Sequence, residues 1–226
     1  VAGVLVTVPR AEVVRVSRVR GRMAGGEFRR ADPNRTRLFF APTGRALDRG
    51  DVYAGLFSIV MPFVQVGLTD RLSVGGGTPL IFGLFDDWNR PYWITPKAQV
   101  LARERAQVSV GAFHVFDRSG NGGGIAYGVG TFGSDDEAVT LGAGLSYTGF
   151  DSGAAVVMAG GERRVHRSVK LLTENYLWIG DGDTSGLVSA GIRFFGERLS
   201  ADVGVAMPVG TGDVWVFPVV SVVYVF

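Results

Sequence analysis

Cysteine is absent from the 226 residues, so neither a disulfide framework nor a thiolate metal site is possible. Lysine is nearly absent too: Lys97 and Lys170 are the only two. Charged residues make up 19% of the chain, against roughly 25% in an ordinary soluble domain. No uncharged apolar run approaches the roughly 18 residues that a spanning helix requires. The longest candidate, VYAGLFSIVMPFVQVGL at 52–68, is interrupted by Pro62, Gln65 and Gly67 and is rich in β-branched and aromatic residues. No basic, apolar, small-residue leader stands at Val1; the chain starts inside a patterned segment, as expected where a signal peptide has been removed. What is plentiful is apolar side chain (46%) and glycine (34 residues, about twice its usual share), with only 9 prolines. An apolar, glycine-rich chain without a helical span leaves two classes: a soluble β-sandwich or barrel, and a membrane barrel.

From about residue 35 the sequence divides into apolar segments separated by turn chemistry. Strands are expected near 36–46, 52–68, 71–81, 92–102, 106–116, 123–132, 138–148, 153–160, 166–179, 186–195, 198–208 and 213–226. Twelve is an even number, as single-chain bacterial barrels require. The connections alternate in kind. LTDRLS, ARERAQ, GSDDEA, GGERRV and GERLS are tight and charged, whereas IFGLFDDWNRPYW, FDRSGNGGG, TGFDSG and GDGDTSG are longer or richer in Gly and Asp. Short turns at one end and longer loops at the other mark an outer-membrane barrel, with the short ends in the periplasm.

Alternation tells which face meets what. In VTLGAGLSY, Val139, Leu141, Ala143, Leu145 and Tyr147 oppose Thr140, Gly142, Gly144 and Ser146. In LSADVGVAM, Leu199, Ala201, Val203, Val205 and Met207 oppose Ser200, Asp202, Gly204 and Ala206. The polar face is mostly Gly, Ser, Ala and Thr; it makes a poor soluble exterior and suits a crowded, partly hydrated lumen. Lys97, Gln99, Lys170, Glu174, Arg193 and Asp202 fall on the inward faces and are the candidate lumen-lining residues. Buried charge there must be paired or hydrated, so a structural polar network and a conducting path both fit them.

The chain stops in mid-strand, on VVSVVYVF. Val220, Val222, Tyr224 and Phe226 share one face by the period of two. Facing lipid, Tyr224 and Phe226 would sit in the aromatic girdle at the membrane boundary. The stretch resembles the C-terminal signal of bacterial outer-membrane proteins, which implies that Val222, Tyr224 and Phe226 are read by the barrel-assembly machinery. ADPNRTRLFFAPTGRALDRGDVYAG (31–55) and MPFVQVGLTDRLSVGGGTPL (61–80) are similar to the opening strands of an uncharacterised group of bacterial outer-membrane barrel proteins. That resemblance implies a fold and a location and brings no catalytic residues.

Residues 1–34 differ from the rest. The first 37 residues hold nine arginines against Glu12, Glu27 and Asp32, a charge of +6 in a chain of net +2. VLVTVPRAEVVRVSRV reads as two short strands joined at Pro9–Arg10 and resembles the tail of a small SH3-like β-module that begins upstream of Val1. A basic periplasmic arm, an amphipathic helix and a fold-back plug of the lumen stay open. The contacts expected of it are anionic lipid, peptidoglycan or a periplasmic protein; no aromatic is interleaved before Phe28, which speaks against nucleic acid.

The search for chemistry returns little. His114 and His166 read as girdle or turn residues, and no GxSxG elbow is present. SGNGGG (119–124) precedes no helix, so it reads as a surface loop and not a phosphate cradle. Asp135, Asp136 and Glu137, with Asp181 and Asp183, read as solvated turns in preference to a cation shell. No catalytic, cofactor-binding or metal-binding residue is expected. The expectation is a closed all-β, antiparallel transmembrane barrel of about twelve strands in the bacterial outer membrane, residues 35–226, behind a basic periplasmic segment, residues 1–34. Its expected work is that of a small passive pore for polar solutes or ions. The alternative is a scaffold that anchors a periplasmic module or partner subunits without transport, and a lipid-modifying enzyme using His114 as base ranks third.

Overall fold

Strict alternation of apolar and small or polar residues forces extended chain with one face for lipid and one for the interior. A computed structural model of the protein describes residues 9–10, 21–24, 26–80, 91–116, 122–149, 151–180, 184–210 and 215–226. Two strands, β1 (Gly21–Ala24) and β2 (Glu27–Arg30), form a separate hairpin. The wall is built from β3 (Val52–Phe57), β4 (Met61–Gly67), β5 (Leu72–Gly77), β6 (Tyr92–Ile94), β7 (Lys97–Arg103), β8 (Ala106–Phe116), β9 (Gly122–Gly133) and β10 (Glu137–Thr148). It continues through β11 (Asp151–His166), β12 (Val169–Ile179), β13 (Thr184–Phe195), β14 (Leu199–Val209) and β15 (Phe217–Val225).

Every neighbour is antiparallel, and β3 pairs with β15, so the sheet closes on itself. β6 and β7 are halves of one wall strand: Pro96 has no N–H to give the ladder, and both halves pair with β5 and with β8. The wall thus has twelve strand positions. Closure leaves no open edge, the condition for a sheet to stand in hydrocarbon.

Outside, the wall is apolar. Leu56, Val110, Leu141, Leu171, Val203 and Val222 are all exposed, the reverse of a soluble barrel. Val220, Val222, Tyr224 and Phe226 do share the outward face; Phe226 is 71% exposed, stands edge-on to Tyr224 at 5.3 Å, and donates its backbone N–H to the Val52 carbonyl at 3.1 Å. The connections at 68–71, 104–105, 134–136, 167–168 and 196–198 gather at one end, the turn end, with the C-terminus; the longest ones, together with the short ones after Phe57 and Thr148, lie at the other, the loop end.

Two segments differ from expectation. Residues 52–68 are a hairpin and not one strand: Ser58 and Ile59 take φ of +49° and +67°, a left-handed turn made without Gly, Asn or Asp. Residues 36–46 are no part of the wall. Strand β11 also runs well past the expected 153–160, to His166. Of the N-terminal readings, the paired strands around Pro9–Arg10 and the SH3-like resemblance lie largely outside the described residues, as do Asp181, Asp183 and the first half of SGNGGG.

Candidate functional site

Residues 31–48 enter the barrel from the turn end, reverse, and leave by the same end. The reversal is a small hairpin: Arg37 bridges Pro42, the Leu38 N–H reaches the Ala41 carbonyl at 2.9 Å, and the Thr43 N–H reaches the Thr36 carbonyl at 2.9 Å. Leu38, Phe39 and Ala41 at its tip form one apolar cluster with the wall residues Val129, Met158, Leu172, Ala206 and Val219. The wall is shaped to receive it. A Cβ at Gly160 would stand 2.5 Å from Leu38 Cδ1, and at Gly204 3.1 Å from the Phe39 ring. The small inward residues are the seat of this segment.

Its polar backbone is satisfied by the wall's charges. Arg193, fully buried, donates Nε and Nη2 to the two oxygens of Asp202 at 2.7 and 2.9 Å. It also donates to the Asn34, Arg37 and Leu38 carbonyls (2.8, 3.2 and 2.7 Å) and to Asp32 (3.2 Å). Lys170 lies between Asp32 at 2.9 Å and Glu162 at 2.6 Å, and Glu162 also takes Arg45. Glu174 Oε2 accepts the Phe40 and Ala41 N–H groups at 3.0 Å each, while Oε1 accepts the Tyr176 hydroxyl at 2.8 Å. Lys97 gives its three protons to the Thr36, Thr43 and Arg45 carbonyls at 3.4, 3.2 and 2.7 Å. Gln99 and Ser109 both donate to the Gly44 carbonyl, at 2.8 and 2.9 Å.

All six candidate lumen residues therefore face inward. Five contact the inward segment directly, and Asp202 reaches it through Arg193. Burial by itself would raise the Asp32 carboxyl, but the Lys170 and Arg193 charges hold it well below the usual carboxylate range. The sequence reading missed Asp32, Arg37, Arg45 and Glu162 as members of this network. A signal was present for the first three: Pro33, Pro42 and Gly44 within a dozen residues are poor central-strand chemistry.

On the loop side of the tip the lumen opens into a cavity of about 230 Å³. Phe40 forms its floor and packs on Phe57 at 5.2 Å and Phe113 at 5.5 Å; Trp93 faces Phe113 at 6.3 Å. His114 points outward near the loop end, stacked on Tyr147 with Nδ1 2.8 Å from its hydroxyl. His166 is exposed at the turn end of β11. There, too, the Asp136 carboxylate takes Arg22 and Arg29 of the β1–β2 hairpin at 2.8 and 2.9 Å and Arg164 of the wall at 2.6 Å, pinning the hairpin across the barrel mouth.

No family model and no curated protein matches the sequence. Solved structures do match the fold. The chain superposes on the KdgM porin with a TM-score of 0.58 at 10% identity, over 78% of this chain and 98% of that one. A KdgM porin in complex with disordered oligogalacturonate gives 0.59 at 10% identity with the same coverage. The NanC porin gives 0.55 at 9% identity, over 77% of this chain and 97% of that one. The architecture is that of small outer-membrane porins.

Proposed function

We propose that the protein is a small outer-membrane pore whose bore is closed at rest by its own residues 31–48. The reading is carried by one observation: a porin-type wall encloses a peptide hairpin that it holds by side chain-to-backbone hydrogen bonds and ion pairs, with no strand of the wall continuing into it. Twelve strands enclose more space than eight, whose interior side chains alone can fill. Here the surplus is taken up by a segment tethered at both ends on the turn side, so it can withdraw without breaking the wall. In this reading the turn end and the basic hairpin face the periplasm, small polar solutes or ions pass once the segment withdraws, and the barrel is not an enzyme. Val222, Tyr224 and Phe226, aligned toward lipid, would serve as its assembly signal.

The alternative, a scaffold that only anchors a periplasmic module, is favoured by the completeness of the lumen network around Lys170 and Arg193. Planar-bilayer recordings separate the two. The full chain should be silent or open rarely, and a variant with residues 31–48 replaced by a short Gly-Ser linker should conduct steadily. A linker variant that inserts, keeps the heat-shifted gel mobility of a folded barrel and still stays silent would leave the anchor standing.

A further inference from the structure

Porin lumens are polar, yet the cavity above the inward segment is lined by the rings of Phe40, Phe57, Phe63, Trp93, Phe113 and Tyr127. Water in contact with such a wall is unfavourable, and an apolar guest gains by replacing it. The volume, about 230 Å³, exceeds the roughly 150 Å³ of an engineered cavity that takes up benzene. There is room for one ring, or a short chain, and a small head group.

The charges on its floor say what that head group is. Among the described residues the buried charged side chains are five cations, Arg37, Arg45, Lys97, Lys170 and Arg193, and four carboxylates, Asp32, Glu162, Glu174 and Asp202. Arg45, Lys170 and Arg193 share Glu162, Asp32 and Asp202 in one chain of ion pairs. Arg37 and Lys97 line the cavity, and among the described residues neither has a carboxylate within ion-pair distance. The three protons of Lys97 are spent on backbone carbonyls. Arg37 has spent little: one bond, to Ser221 Oγ at 2.7 Å, with its guanidinium lying 4.1 Å over the Phe63 ring and Nε without a partner. A guanidinium carries five donors and stays protonated, so this one is a buried cation with donors to spare beside an apolar chamber.

We propose that the cavity binds a small amphipathic anion, its ring or short chain among Phe57, Trp93 and Phe113 and its single carboxylate on Arg37. An anion there would pair with the Arg37 guanidinium and satisfy its open donors in one step. The site belongs to the closed barrel and does not depend on whether the bore conducts.

Calorimetric titration of the full chain in nanodiscs tests this with 4-phenylbutyrate and octanoate, each against the alcohol of the same skeleton. Saturable one-to-one binding is expected, with each carboxylate at least tenfold tighter than its alcohol. Arg37→Gln should bring the carboxylate down to the level of the alcohol and leave the alcohol unchanged. Val156→Phe, which fills the chamber from β11 without touching the polar network, should abolish both while the barrel keeps its heat-shifted gel mobility. Equal affinity for acid and alcohol, carboxylate binding unaffected by Arg37→Gln, binding that survives Val156→Phe, or no saturable binding to the wild-type barrel would each overturn the proposal.

Discussion

Replacing Arg193 by Met should open the barrel without dismantling it. The guanidinium is fully buried and ties Asp202 of β14 to Asp32 and to three backbone carbonyls of the inward segment. Removing one partner of a buried, hydrogen-bonded charge pair costs about 3–5 kcal/mol. The β13–β14 ladder around it spans ten residue pairs and does not pass through this side chain. The segment's carbonyls and the Asp202 carboxylate can be rehydrated only if the segment leaves, so the loss falls on its seating. At about 1.4 kcal/mol per tenfold, the withdrawn population should rise by roughly two to three and a half decades. Because the chain has no cysteine, Ala41→Cys at the buried tip supplies a unique thiol. Its rate of labelling by a soluble maleimide reports the withdrawn state, in the Arg193→Met background against Ala41→Cys alone. An acceleration of less than tenfold would refute the assignment of Arg193 as the clamp.

Two further outcomes are expected. A Cβ at Gly44 would overlap the Gln107 carbonyl and stand 3.0 Å from the Thr131 backbone nitrogen, so Gly44→Ala should unseat the returning limb. The same thiol should then label at least tenfold faster with unchanged gel mobility, and a wild-type rate would contradict the fit described. The Asp136 carboxyl is pushed up by partial burial, but the hydrogen bonds from Arg22 and Arg29 and the charge of Arg164 outweigh this and hold it below the usual range. With the folded value depressed, its contribution is present above the ordinary carboxylate pKa and lost as pH falls through the folded one. Hydrogen-exchange protection of residues 21–30 should hold above about pH 5 and fall away as the pH drops below the ordinary carboxylate value of about 4; wild-type protection in Asp136→Asn at neutral pH would show that this carboxylate does not pin the hairpin.

The wall was legible because its signal is a period of two. Lys97, Gln99, Lys170, Glu174, Arg193 and Asp202 could all be set on the inner face by alternation with apolar neighbours. The number of strands came out at twelve through two offsetting departures: 36–46 read as a strand and is not one, while 52–68 read as one strand and is two. The first carries LFFA, a short apolar run that looks like a strand locally but lies inside the barrel with all but Phe40 buried. The second turns at Ser58–Ile59, where tertiary closure holds positive φ on residues that give no turn signal. Glu162 was hidden because GGERR looks like a charged turn, whereas β11 carries the alternation through it to His166. The inward segment has no period at all. Pro42 and Gly44 argue against a wall strand there, but the conformation itself answers to the wall's geometry.

The two ends of the chain meet twice, and the inner meeting bears on how the barrel closes. Asp32 and Arg193 are 161 positions apart, Phe40 and Glu174 are 134 apart, and the seam joins Leu56 to Val222. Closing loops of such length costs entropy that grows with the logarithm of the span. The segment's ion pairs run to Glu162 of β11, Lys170 of β12 and Arg193 of β13, and β3 follows the segment by only a few residues. Once the segment is seated on the C-terminal half of the wall, β3 is delivered to the free edge of β15. The segment thus ties the first strand of the wall to the half of the sheet that holds its last.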